Sequence, residues 1–294
     1  MAFENRITGK NKEAIIHLAD MTSGCTAEIF VFGAILNKFV ILHEGSTVNV
    51  IDGFENVQEA TESITPAFKS AKLSPFVCRI NERKYNFAGV DYELTKYAMG
   101  KNAIHGLVYD EVFTIVGNGS DDEHAFVKLQ YEFNNPALGY PFKFTCQVMY
   151  ELLPNNMLSV TSIITNNAGK QIPVADGWHP YFTLGDPVNE CEFMLKSDGM
   201  LEFNEELIPT GKIVPYKEFN ELKGFGTTWF DNCFLVNFNE GQPSCIFRNP
   251  KRKIELQVHP SESYPYLQFF TPDHRQSIAI ENLSAAPDLS LIHI

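Results

Sequence analysis

Five short segments of the chain carry side chains able to do chemistry. Arg79 lies in Ser74-Pro75-Phe76-Val77-Cys78-Arg79-Ile80, and His105 in Asn102-Ala103-Ile104-His105-Gly106. His179 lies in Asp176-Gly177-Trp178-His179-Pro180-Tyr181-Phe182, Asp231 in Trp229-Phe230-Asp231-Asn232-Cys233-Phe234, and Glu281 in Ser277-Ile278-Ala279-Ile280-Glu281-Asn282. Together they supply two imidazoles, two carboxylates and a guanidinium. Pro180 disfavours the α region for the residue before it, so His179 is expected in extended backbone with a fixed side-chain direction. In a strand, alternate residues share a face. That puts Arg79 with Val77 and Asn81, Asp231 with Trp229 and Cys233, and Glu281 with Ser277 and Ala279, away from Ile278 and Ile280. Taken singly, each residue also has a structural reading: a hydrogen-bonded core histidine, an arginine on an edge strand, or a carboxylate in water.

Three chemistries can use the set. His105, His179 and Asp231 have the composition of a two-histidine, one-carboxylate metal site. The chain has no H-x-H pair of the kind such sites usually show, so metal ranks below the others. Asp231 facing Glu281 would suit glycoside hydrolysis, which needs two carboxylates but leaves His179 without a role. A general acid–base pair of His179 and Glu281 uses every member.

The elements that must position these groups read as strands. Residues 13–19, 26–36, 38–43 and 46–52 are short apolar or β-branched runs broken by Gly24, Gly33, Gly45 and Gly53, a sandwich or barrel signature. Residues 125–133 alternate, with Val127, Leu129 and Tyr131 between Phe126, Lys128, Gln130 and Glu132. Residues 142–153 and 157–165 flank Pro154-Asn155-Asn156, which predicts an antiparallel hairpin. Residues 55–74 are polar and predict a helical turn or a long surface loop. No run of 12 or more residues keeps an apolar period of 3.6, so little helix is expected. There is no repeat and no linker. The expectation is one all-β domain over 1–294, a large antiparallel β-sandwich.

Composition narrows the partners. The 294 residues are 44% hydrophobic and 20% charged, with a formal net charge of -13. That balance excludes a disordered chain and speaks against a nucleic-acid partner, which needs clustered Lys and Arg. No stretch approaches the roughly 20 apolar residues of a membrane span, and no secretory leader is visible. Cys25, Cys78, Cys146, Cys191, Cys233 and Cys245 include no CxxC pair and read as small buried hydrophobes. A cytoplasmic protein, monomeric or weakly dimeric, is the expectation.

The five segments, in this order over residues 73–282, resemble the aldose 1-epimerase (galactose mutarotase-like) family. The resemblance rests on Leu73-Ser74-Pro75-Phe76-Val77-Cys78-Arg79-Ile80, Ala103-Ile104-His105-Gly106, Gly177-Trp178-His179-Pro180-Tyr181-Phe182, Phe230-Asp231-Asn232-Cys233-Phe234 and Ile280-Glu281-Asn282. It implies a β-sandwich of the galactose mutarotase type with an open cleft, and no cofactor or metal. It implies Glu281 as general base and His179 as general acid. Arg79, His105 and Asp231 would bind sugar hydroxyls, with Trp178 and Tyr181 as walls of the cleft. The expected geometry has carboxylate and imidazolium on opposite sides of a pyranose ring, with the His179 pKa near or above its usual value. Leu107 after Gly106 and Cys78 before Arg79 depart from the family pattern, so galactose itself is not implied. Residues 288–294 look unrelated to the family's closing strands, and a truncated end is expected there.

Overall fold

The alternating, turn-punctuated sequence folds into antiparallel β-sheets in a computed structural model, which describes residues 1–239 and 241–288 and the backbone of 292–293. The hairpin forms as its turn chemistry demands. Phe144–Leu153 and Met157–Asn166 pair over their full lengths, and Asn155 and Asn156 turn the chain with φ of 64° and 57°, a left-handed region asparagine tolerates. With Ala125–Phe133 and Thr114–Ser120 they make a four-stranded sheet. Val127 and Leu129 of that sheet are fully buried, while Phe126, Lys128 and Gln130 on the other face are partly exposed. The N-terminal sheet runs in sequence order from Phe3–Thr8 to Ser46–Asn49. The run expected over 26–36 is two strands there, Thr26–Phe30 and Leu36–His43, because Gly33 and Ala34 take positive φ and reverse the chain.

The largest sheet positions the candidate residues. Its order is Pro209–Pro215, Gly199–Phe203, Asp231–Leu235, Tyr266–Phe270, Ile278–Leu283, Gly177–His179 and Ala71–Leu73, with Tyr181–Phe182 also paired to Ile278–Leu283. One face sends Phe234, Leu267, Phe269, Ile278 and Ile280 into the main core, beside Val127 and Tyr150 of the four-stranded sheet. The other face carries Cys233 and Leu283 into a second cluster with Phe68, Cys78 and Tyr109.

One helix, Val57–Ala67, borders that second face. The Asn56 side chain accepts the Glu59 N–H at 3.0 Å, and the Glu59 carboxylate accepts the Glu55 N–H at 2.6 Å, a reciprocal cap of the kind that starts helices. Val57, Ala60 and Ile64 are its buried side, and Phe68 ends it in left-handed backbone. Among the described residues no helix is long and apolar enough to cross a membrane. All six cysteines are free and buried. Of the stretch expected to be a truncated end, 288–294, residues 289–291 and 294 lie outside the described residues, while the backbone of 292–293 pairs with Pro173–Val174.

Candidate active site

His179 ends the strand Gly177–His179, with Ala71 on one neighbouring strand as its register partner. Glu281 lies on the other neighbour, directly opposite Gln268, which in turn lies opposite Cys233. Alternation then places Asp231, Cys233, Gln268 and Glu281 on one face of three adjacent strands. His105 follows Asn102–Ile104 with φ of 60°, and its N–H bonds the Cys78 carbonyl at 2.9 Å. The next residue has to be glycine. Gly106 sits at φ 80°, and a Cβ there would stand 2.4 Å from the Ser74 carbonyl oxygen. This contact holds the His105 turn against the segment that carries Cys78 and Arg79.

These elements enclose a cavity of about 130 Å³. One water needs roughly 10–15 Å³ on this measure, so the space suits one small polar molecule. Arg79, His105, His179, Asp231, Gln268 and Glu281 make its polar side, and Phe68, Met99, Phe203, Leu207 and Phe270 its apolar side. The His179 Nε2 lies 3.2 Å from Glu281 Oε1, with side-chain exposures of 6% and 2%. The His105 ring stands edge-on to His179 at 4.9 Å, and the Tyr181 ring stacks on His179 at 5.1 Å. Gln268 donates to Asp231 Oδ1 at 2.8 Å.

The electrostatics favour neutral forms. Burial, reinforced by the Asp231 charge and offset by Arg79, holds the Glu281 carboxyl well above the usual range. Burial likewise lowers the His179 imidazole to about 4. Burial, then His179 and Arg79, pushes His105 well below its ordinary value. Asp231 is raised by burial, against the pull of Arg79 and the Gln268 hydrogen bond. Three buried atoms on residues lining this space have no hydrogen-bond partner among the described residues: His179 Nδ1, His105 Nδ1 and Gln268 Oε1. An unsatisfied buried polar group costs about 1–3 kcal/mol, a cost that hydrogen bonds to a bound polar ligand would offset.

Six of the seven residues singled out in the sequence thus surround one space: Arg79, His105, His179, Tyr181, Asp231 and Glu281. Trp178 does not. It neighbours His179 in one strand and therefore takes the opposite face, where it packs against the main core and meets Phe182 edge-on. Two further expectations are corrected. His179 and Glu281 touch directly instead of facing each other across the width of a sugar ring. The His179 pKa falls rather than rises, because burial of the imidazole itself penalises its charged form. Gln268, Cys78 and the apolar side were not singled out. Gln268 left one signal, as the lone amide in Tyr266-Leu267-Gln268-Phe269-Phe270. Phe203, Leu207 and Met99 come from distant segments, and nothing local marks them.

Comparison with known proteins gives concordant matches. The profile of the family described as aldose 1-epimerase matches residues 15–288. An aldose 1-epimerase from Streptococcus thermophilus is 27% identical over 206 residues, covering 67% of this chain and 57% of the relative. The chain therefore spans little more than half the length of that relative. In fold, it is similar to a galactose 1-epimerase from Lactobacillus acidophilus, with a TM-score of 0.79, 17% identity and coverage of 97% and 91% of the two chains. It is also similar to an aldose epimerase homologue from C. elegans, with a TM-score of 0.79, 20% identity and coverage of 99% and 96%.

Proposed function

Because the chain belongs to the aldose 1-epimerase family, its residues 15–288 matching that family's profile, we propose that it interconverts the α and β anomers of a free hexose. The observation that carries this reading is the buried contact of His179 Nε2 with Glu281 Oε1 at 3.2 Å on one side of the cavity. Ring opening takes the proton from the C1 hydroxyl and delivers one to the ring oxygen. Both oxygens are bonded to C1, so neighbouring groups on one face of the sugar reach them together. The carboxylate of Glu281 takes the hydroxyl proton while imidazolium His179 protonates the ring oxygen. The C1–C2 bond rotates, and reclosure on the other face of the aldehyde returns both protons.

The burial of the pair acquires a role in this scheme. With the ring open, the pair is a carboxylic acid beside a neutral imidazole, the form that desolvation favours for both groups. With the ring closed, it must become carboxylate and imidazolium, which needs only one proton to cross the 3.2 Å contact. Arg79 offsets the resulting negative charge on Glu281. No proton is gained or lost overall. Each properly placed acid or base contributes on the order of 10²–10⁴-fold.

A free sugar fits better than a phosphorylated one. Arg79 is the sole cation among the described residues lining the cavity. Three further arginines are engaged elsewhere: Arg83 with Glu93, Arg248 with Glu192 and Glu255, and Arg275 with Asn189 and two carbonyls. Polarimetry on freshly dissolved α-glucose, α-galactose and α-glucose 6-phosphate tests the reading. The first two are expected to equilibrate faster with protein, and acceleration confined to the phosphate ester would contradict it. Sugar binding without faster equilibration would make the protein a carbohydrate-binding module instead.

A further inference from the structure

Cys78 lines the cavity, and sugar chemistry leaves its thiol without a task. It is buried, holds left-handed backbone at φ 47°, and points its Sγ at Glu281 Oε2 from 4.0 Å. A sulfur, an imidazole nitrogen and a carboxylate oxygen converge here. The ligand atoms of Cys78, His105 and Glu281 all lie within 4.8 Å of one another, and all three residues are buried. A second observation is independent of the cysteine: the Nδ1 of His105, a residue only 7% exposed, has no protein partner.

We propose that Cys78, His105 and Glu281 form a binding site for a thiophilic divalent cation of the zinc class, and that occupation of this site inhibits the enzyme. The donor set is one of the mixed sulfur, nitrogen and oxygen sets that zinc accepts, at about 2.3 Å for sulfur and about 2.0–2.2 Å for nitrogen and oxygen. Three atoms up to 4.8 Å apart reach those bond lengths after each moves inward by roughly 0.5–0.8 Å, a shift within side-chain torsions. Binding expels the Cys78 thiol proton and the Glu281 carboxyl proton to solvent. Thiolate and carboxylate then supply two negative charges to a doubly charged ion, which a hard cation such as magnesium, preferring oxygen donors, would not share.

The consequence follows from Glu281. A carboxylate bound to a metal cannot accept the C1 hydroxyl proton, and the ion occupies the space the sugar needs. The cation is thus an inhibitor and not a cofactor. The inhibitory part rests on the proposed mutarotase activity; the site itself does not.

The test is calorimetric titration of the purified chain with zinc chloride, alongside cobalt(II) spectroscopy and polarimetry. One equivalent of zinc is expected to bind, cobalt(II) to develop a thiolate charge-transfer band, and anomer exchange to fall and recover with a chelator. Cys78→Asn keeps a residue that tolerates left-handed backbone and removes the sulfur. It should abolish the band and weaken zinc at least ~100-fold, the upper range for losing even an indirect metal contact. Cys78→Ser is the second variant. The absence of stoichiometric binding in the unmodified chain, a band that survives in both variants, or full exchange with zinc bound would overturn the proposal. Binding and the band are read without turnover, so a failure of the site is distinct from a failure of the proposed function.

Discussion

Two buried acid–base pairs stand on opposite faces of the same sheet, and they are built to opposite ends. On the core side, Lys72 is ion-paired with Asp176. The Lys72 ammonium also donates to Ser162 Oγ at 2.7 Å and to the Gly177 carbonyl at 3.1 Å, so each of its protons meets an oxygen. Asp176 further accepts from the Tyr264 hydroxyl at 2.7 Å. On the cavity side, His179 meets Glu281, and its Nδ1 has no hydrogen-bond partner in another described residue. Lys72 and His179 sit at successive positions of the strand pair, opposite Trp178 and Ala71, yet one pair is locked by hydrogen bonds and the other is left able to exchange its proton. Burial alone therefore does not mark a catalytic pair. Unpartnered atoms do not mark it either, since Asp176 Oδ1 on the core side also lacks a partner among the described residues; what separates the pairs is the cavity that His179 and Glu281 line and that Lys72 and Asp176 do not.

The comparison breaks most visibly in activity. Glu281→Gln should keep the fold and lower the anomer-exchange rate by about 10²–10⁴-fold, the range for a lost general base, read by polarimetry on α-glucose. A rate near that of the unmodified chain would return the pair to a structural role. Lys72→Met should do the reverse. It strands a buried carboxylate, which costs about 3–5 kcal/mol in chemical denaturation, while the fraction that stays folded keeps its rate. A stable Lys72→Met protein would mean that Asp176 is not held by this contact.

The pH dependence of stability sharpens the contrast. His179, lowered to about 4 in the folded chain from 6.5, favours the unfolded state as pH falls through that window, so its stability term rises with pH from about 4 to 6.5. Glu281, raised above 4.5, loses its proton first in the unfolded chain, so its term falls as pH rises above 4.5. In the intact pair the two terms oppose each other. Glu281→Gln should expose the rising slope and His179→Gln the falling one, each approaching ~1.4 kcal/mol per pH unit for a single proton. Melts of both variants between pH 4 and 7 check this, and parallel profiles would contradict it. The smallest effect belongs to Trp178→Phe. Its ring faces the main core, so about 1 kcal/mol of stability should go with exchange changed by less than about twofold. A larger loss of activity would restore Trp178 to the cavity.

What could be read in the sequence was whatever depends on local period and turn chemistry. Pro154-Asn155-Asn156 foretold the hairpin because two asparagines can carry a left-handed turn, and Ile278 and Ile280 against Ala279 and Glu281 foretold which face holds the carboxylate. The same alternation argued against Trp178 as a wall beside His179, since successive residues in a strand face apart. The separation of His179 from Glu281 was not legible, because the two belong to strands 102 positions apart in sequence whose register only the folded sheet sets. Nor was the direction of the His179 shift, which depends on how much of the chain closes over it.

The central claim is that the cavity pair turns over sugar while the core pair only holds the sheet. Magnetisation transfer between the α and β anomeric protons of glucose at equilibrium, per mole of folded protein, tests it directly. Lys72→Met is expected to exchange as the unmodified chain does, and Glu281→Gln to fall by about 10²–10⁴-fold. Equal exchange by Glu281→Gln and the unmodified chain would contradict it.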